Sequence, residues 1–244
     1  MIRIAIAIAA MLTMVPSPVA AQTPAITPPD APARQADPYE SLYDAILSAM
    51  EIDTLAEGTA AGIRTEYATI PAFIAIEKKH PGFIDEYVGA MRPALAQNSA
   101  SLRERYRPRY IELFRSELTP GEAADIAQFY RTPVARKIVT HTVDNYRPTQ
   151  TLKGIMDKPG ASETEVGADI STASRKTVGS MTSDELVELG QMAREKPALL
   201  KLGRLSRQMT ALRTEMENEP MDPAVEADMV AALIEVMRKY GVVK

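Results

Sequence analysis

The chain has 244 residues, 45% of them hydrophobic and 25% charged, with a formal net charge of −4 at pH 7. These are ordinary globular proportions, and the length suffices for one or two domains with a real core. With no Cys and only two His, a disulfide scaffold, a thiolate nucleophile, a thiolate metal site and a three-His zinc site are excluded, and the mild acidity argues against a nucleic-acid binder.

Residues 1–21 read as a secretory signal peptide. Arg3 supplies a short positive start, Ile4 to Val15 is an almost purely apolar run, and PSPVAA offers small residues for cleavage after Ala21. The apolar run is 12 residues, short of the ~20 that a spanning helix needs. No later run reaches spanning length, so no transmembrane segment is expected in the mature chain. The expected location is across the inner membrane, in the periplasm. Residues 22–38 hold five prolines (Pro24, Pro28, Pro29, Pro32, Pro38). Pro fixes φ and lacks an N–H, so an extended, disordered tether is expected here.

From Asp37 onward the apolar spacing is helical. Leu42, Ile46, Ala49, Met50, Ile52 and Ala56 make one face; Ile84, Tyr87, Val88, Met91 and Leu95 make another. Leu102, Tyr106, Tyr110, Leu113 and Phe114 continue the pattern. Pro93 is expected to kink or divide its segment, and Pro108 to kink the next. Further stripes run from Ala135 to Tyr146, from Ala198 to Met216 and from Met229 to Tyr240, where Gly241 is placed to end the helix. No stretch alternates with period two. The expected fold is all-α, a helical bundle in which each stripe buries itself against another helix.

Helix starts are also marked. Thr119-Pro120-Gly121-Glu122 and Thr182-Ser183-Asp184-Glu185 have capping-box spacing, and Thr132-Pro133 and Asp222-Pro223 are cap-then-proline starts. The two boxes belong to an internal repeat. LTPGEAADIAQFYR (118–131) aligns with MTSDELVELGQMAR (181–194), with Thr119/Thr182, Glu122/Glu185, Gln128/Gln191 and Arg131/Arg194 identical. Pro133 and Pro197 then each open a following helix, one residue out of step. The bundle is therefore read as two related helical-hairpin units, 39–146 and 181–244, joined by a connecting segment, 147–180, with a weaker stripe of Val166, Ile170 and Ala173.

The block LTPGEAADIAQFYRTPVARK resembles the signature of a bacterial family of exported proteins known only as a domain of unknown function. The pattern is an LT-x-x-E start, then F-Y-x-[ST]-P and a nearby Lys. Here those positions are Leu118, Thr119, Glu122, Phe129, Tyr130, Thr132, Pro133 and Lys137, with Arg131 between. Ala135 stands where the family commonly has Gly. The second copy has no Phe-Tyr pair and Lys196-Pro197 in place of Thr-Pro, so it reads as degenerate. The resemblance implies an all-helical exported protein and carries over no activity, cofactor or catalytic residue. Physically the block reads as packing and turn-setting, with Ala123, Ile126, Ala127 and Tyr130 directed toward a core.

Chemical motifs are scarce. His80 lies in a turn before Pro81, and His141 with Asp144 supplies too few ligands for a metal site. Neither a Gly-rich phosphate loop nor G-x-S-x-G nor H-E-x-x-H occurs, so no catalytic residue, cofactor or metal is expected. The one unusual composition is RERYRPRYIELFR, with Arg103, Arg105, Arg107, Arg109 and Arg115 interleaved with aromatics. Such a face can grip anionic lipid or cell-wall polymer by forked hydrogen bonds and stacking. Alternatively it is a helix whose Arg stems cover apolar surface. The leading functional reading is a non-enzymatic helical protein acting on envelope components or protein partners. A binder of anionic envelope material and a hydrolase with a hidden carboxylate pair are the competing readings.

Overall fold

The computed structural model describes residues 37–48 and 50–243. The expected signal peptide and residues 22–36 of the expected tether lie outside the described residues. Among those described, eleven α-helices and one short 3-10 segment occur and no strand. They are α1 (Pro38–Leu47), α2 (Ile52–Tyr67), α3 (Pro71–Lys79), α4 (Phe83–Glu117), α5 (Pro120–Tyr130), α6 (Pro133–Asn145), α7 (Thr149–Asp157), α8 (Glu163–Gly179), α9 (Ser183–Glu195), the 3-10 segment Pro197–Lys201, α10 (Leu202–Asn218) and α11 (Pro223–Lys239). The fold is all-α.

α1 begins on the last residues of the Pro-rich stretch. Asp37 accepts the Tyr39 N–H at 2.9 Å, and Pro38 takes the first helical position, where a missing N–H costs nothing. The apolar stripe from Leu42 to Ala56 is shared by two helices, because α1 stops at Leu47 and α2 starts at Ile52. Pro93, where a kink or a division is expected, does not divide α4. Pro93 and Pro108 both lie inside one continuous helix of 35 residues, about 52 Å long at 1.5 Å per residue. Each proline removes one intrahelical bond, but α4 buries side chains along its whole length, from Phe83 to Phe114. That packing holds the helix through both interruptions. Beside the second one, the buried Tyr43 hydroxyl donates to the Arg103 carbonyl at 3.1 Å and pins α4 to α1.

α4 is the central element. α1, α2, α10 and α11 pack directly on it, α5 lies on α1, and α7 on α2. One hydrophobic cluster runs from Leu42 through α4 and α5 to Leu205, Met216 and Val236. The two related units therefore contribute to one core. A smaller cluster of Leu55, Val143, Tyr146 and Ala173 joins α2, α6 and α8. The connecting stretch 147–180 forms two helices. α7 has Pro148 at its cap position and so no side-chain cap of its own. The buried Asp169 of α8 supplies the acceptor, taking the N–H groups of Gln150 and Thr151 and the Thr151 hydroxyl at 2.8–3.1 Å. α11 ends as expected: Gly241 has φ +66°, its N–H reaches the Arg238 carbonyl, and that of Val242 reaches Met237, the double bond of a Schellman ending.

The repeat is real at its helix starts and unequal in burial. Thr119 and Thr182 both accept the N–H of the Glu three residues on at 3.3 Å, and both Glu side chains accept in return. α5 then buries Ala123, Ile126 and Ala127, whereas α9 buries no residue. The second copy keeps the start signal and sits at the periphery.

Gly58 of α2 is where the segment after α6 comes closest. A Cβ there would lie 2.6 Å from the backbone oxygen of Tyr146, an atom that cannot swing aside. Ala in place of Gly gains about 1 kcal/mol of helix propensity, while forced overpacking costs about 1–3 kcal/mol. Gly58→Ala should therefore lower stability by about 1 kcal/mol in urea denaturation. An unchanged or raised midpoint would mean that α2 and Tyr146 are not held in contact.

Candidate functional site: an apolar hollow between the two units

The signature residues are accounted for by the fold. Thr119 and Glu122 form the cap of α5. Thr132 caps α6, accepting the Ala135 N–H at 3.3 Å while donating to the Phe129 carbonyl at 2.7 Å, and Pro133 is the first residue of α6. Arg131 reaches across to the Ser41 hydroxyl at 2.6 Å and so ties the α5–α6 turn to α1. Phe129 meets Tyr130 edge-on with ring centroids 5.4 Å apart. Lys137 pairs with Glu185 at 2.5 Å, and Lys201 pairs with Glu122 at 2.7 Å. With the one-residue slip after the repeat, Lys137 and Lys201 are equivalent positions. Each copy's lysine thus holds the capping glutamate of the other copy, and both glutamates are held below their ordinary range, chiefly by these lysines.

Four of the five arginines of the stretch are paired within the fold. Arg105 pairs with Glu219 at 2.6 Å and Arg107 with Asp44 at 3.0 Å, while Arg109 pairs with Glu215 and Arg115 with Asp37. Three of them also stack on tyrosines: Arg107 on Tyr43, Arg109 on Tyr106 and Arg115 on Tyr39, at 5.0–5.7 Å. These four guanidinium groups stitch α4 to α1 and α10. Arg103 points the other way. It is 1% exposed, and none of its three nitrogens has a hydrogen-bond partner. Burial pulls its guanidinium down to about 9, still protonated at neutral pH.

His80 packs edge-on near Tyr240, and the His141 ring nitrogen lies 3.5 Å from the Ser180 hydroxyl. Among the described residues no group of three or more His, Asp or Glu is placed to hold a metal ion.

What the fold does leave is a hollow where the two units meet. Its two adjacent lobes, about 280 and 400 Å³, share Met50, Tyr130, Thr142, Val143 and Leu202 as lining residues. Ile138 and Leu202, equivalent positions of the two copies, both line it. α9 gives Leu189 to the wall, and the exposed Leu186, Val187 and Leu200 lie on α9 and the 3-10 segment after it. Tyr130 forms part of both lobes, and burial pushes its hydroxyl up to about 12. The charged residue in the lining is Arg213, which is 2% exposed and paired with the buried Glu217 of the same helix at 2.5 Å. Burial works against its charge, and the carboxylate of Glu217 with the hydroxyls of Tyr146 and Tyr110 outweighs that. Arg213 also lies over the Tyr146 ring at 5.6 Å. The hollow is therefore an apolar surface with one neutralised ion pair in its wall.

That hollow is walled in large part by one segment. Residues 104–148 match the family described as an uncharacterised protein conserved in bacteria, DUF2059. The matched segment comprises the last part of α4 from residue 104, α5, α6 and the turn to Pro148, and so includes the whole signature block. No curated protein and no solved structure matches the chain. Sequence reasoning found the helices that wall the hollow. It did not find the Arg213–Glu217 pair, although an i, i+4 Arg and Glu on the apolar stripe of α10 was a signal.

An unpaired buried guanidinium carries an uncompensated desolvation cost. Arg103→Met, which keeps the stem and removes the charge, should raise stability by about 1 kcal/mol or more in urea denaturation. A loss of stability would show that the Arg103 charge is satisfied within the fold.

Proposed function

We propose that the protein is exported across the inner membrane and acts in the periplasm by holding a protein partner, without turning over a substrate. The observation that carries this reading is the hollow between the units. Its wall is apolar on both sides, and exposed leucine and valine side chains extend from the same elements. Apolar surface of this kind marks contacts. Thr119, Glu122, Arg131, Thr132 and Lys137 of the signature are spent on caps and on ties between helices. An apolar side chain or short helix face of an envelope protein fits such a surface. The leader-like run ahead of the Pro-rich stretch supports export, and among the described residues no helix is long and apolar enough to cross a membrane.

One observation favours a second reading. Glu66 and Asp157 line a separate cavity, and burial holds the Glu66 carboxyl above its ordinary range. A hydrolase acting on envelope material would use two such acids in different environments. The remaining wall of that cavity is mostly aromatic and aliphatic, which suits an apolar body better than a hydroxyl-rich polymer.

The test is production of the full chain in a Gram-negative host with a photo-crosslinking residue at Met209, followed by fractionation and mass spectrometry. The expected product is a chain beginning at Gln22 in the periplasmic extract, crosslinked to a discrete envelope protein from position 209 and not from the exposed Glu235. Intact precursor in the cytosol contradicts the export reading. Envelope-polymer hydrolysis that disappears on Glu66→Gln contradicts the binding reading.

A further inference from the structure

We propose that the cavity beneath α3 is a binding site for a monovalent organic cation with an apolar body, an alkylammonium or arylalkylammonium, held by an aromatic wall and by the carboxylates of Glu66 and Asp157. This cavity is not the hollow between the units, and the inference stands apart from export and from any protein partner.

The cavity is the largest described here, about 770 Å³, within the usual range for small-molecule sites. α3 forms one side of it through Phe73 and Ile76, yet α3 buries no residue of its own. The helix lies as a cover over space that its side chains do not fill. Its far end is fastened by Glu77, which accepts the N–H groups of Gly82 and Ile84 at 2.7 and 2.8 Å. The cover is therefore anchored at the start of α4, while the face turned inward is loosely packed.

The wall is an aromatic cluster. Tyr67 stacks on Phe73 with centroids 4.3 Å apart; Phe73 meets Tyr87 edge-on at 5.4 Å, and Phe83 lies 5.4 Å from Tyr87. Ring faces of this kind attract a desolvated cation through their quadrupoles and the body of the ligand by area burial. Neither the Tyr67 nor the Tyr87 hydroxyl has a hydrogen-bond partner among the described residues.

The charges around the cavity decide the sign of the ligand. Glu66, Asp157 and Lys158 are the charged residues in the lining. Lys158 is already engaged by Glu165 at 3.0 Å. Glu66 and Asp157 have no salt-bridge partner among the described residues, and Lys153 is the cation whose field reaches Glu66. Two carboxylates against one lysine, itself engaged by Glu165, leave the lining net negative. Partial burial pushes the Glu66 carboxyl upward and the nearby Asp157 charge adds to it. A cation entering the cavity relieves both effects, whereas an anionic amphiphile adds a third negative charge. Of the charged groups in the lining, the two without a salt-bridge partner among the described residues are both acids.

The experiment is calorimetric titration of the mature chain with decyltrimethylammonium, decanoate and decyl maltoside, each below its micelle concentration. The expected result is saturable one-to-one binding of the cation, about tenfold or more tighter than decanoate. Glu66→Gln and Asp157→Asn should each weaken the cation several-fold and leave the maltoside unchanged, while Phe73→Ala should weaken both. Asp157 is exposed, so its variant carries the test even if the Glu66 variant fails to fold. Absence of cation binding overturns the proposal. So does equal affinity for cation and decanoate, or cation binding that survives both carboxylate variants. Cation binding abolished by Met209→Glu and kept in both carboxylate variants would place the ligand in the other hollow and also overturns it.

Discussion

A single helix 35 residues long, buried along one side from end to end, is the constraint around which the other elements are arranged. Isolated, a helix with two internal prolines would not persist, because each removes a hydrogen bond and crowds the preceding turn at about 3 kcal/mol or more. α4 persists because Tyr87, Val88, Met91, Leu95, Leu102, Tyr110 and Phe114 lie within one core that also takes side chains from α1, α2, α10 and α11. Burial of a large apolar side chain contributes about 1.5–3 kcal/mol, so a few such residues beside each proline outweigh the lost bond. The arginines of the same helix add lateral ties to α1 and α10. Singly they are weak surface pairs, but they repeat along the helix and stack on tyrosines.

The two copies of the repeat are arranged around that helix with an approximate exchange of roles. Lys137 of the first holds Glu185 of the second, and Lys201 of the second holds Glu122 of the first. Both lysines thus reach the carboxylate that caps the other copy's helix. The exchange places equivalent positions, Ile138 and Leu202, on one hollow. The copies also differ in burial: α5 supplies core, while α9 is a peripheral helix with Leu186 and Val187 facing outward.

Much of this was legible in the residue pattern, and the rest fails for identifiable reasons. Capping boxes report local backbone hydrogen bonds, so Thr119, Thr132, Thr182 and Asp222 mark their helices correctly. Ser162-Glu163-Thr164-Glu165 has the same spacing and opens α8. The prolines of α4 do not divide it, because local propensity is overruled by tertiary burial, which spacing does not reveal. α7 is hidden because its cap comes from Asp169, a residue distant from its own start. The unpaired state of Arg103 and the pairing of its neighbours depend on which side of α4 meets α1 and α10. Composition shows five arginines and not where each one points. Both cavities are invisible to pattern, since a void is a property of packing between elements.

If both units share one core through α4, they must unfold together. Native-state hydrogen exchange, followed residue by residue as urea is raised, tests this most directly. The buried amides of α4 on both sides of Pro93 and Pro108, and those of α5 and α11, should converge on one opening free energy equal to that of global unfolding. Separate opening of α11 with α10 at lower urea, or an α4 that exchanges in pieces divided at its prolines, would contradict the account.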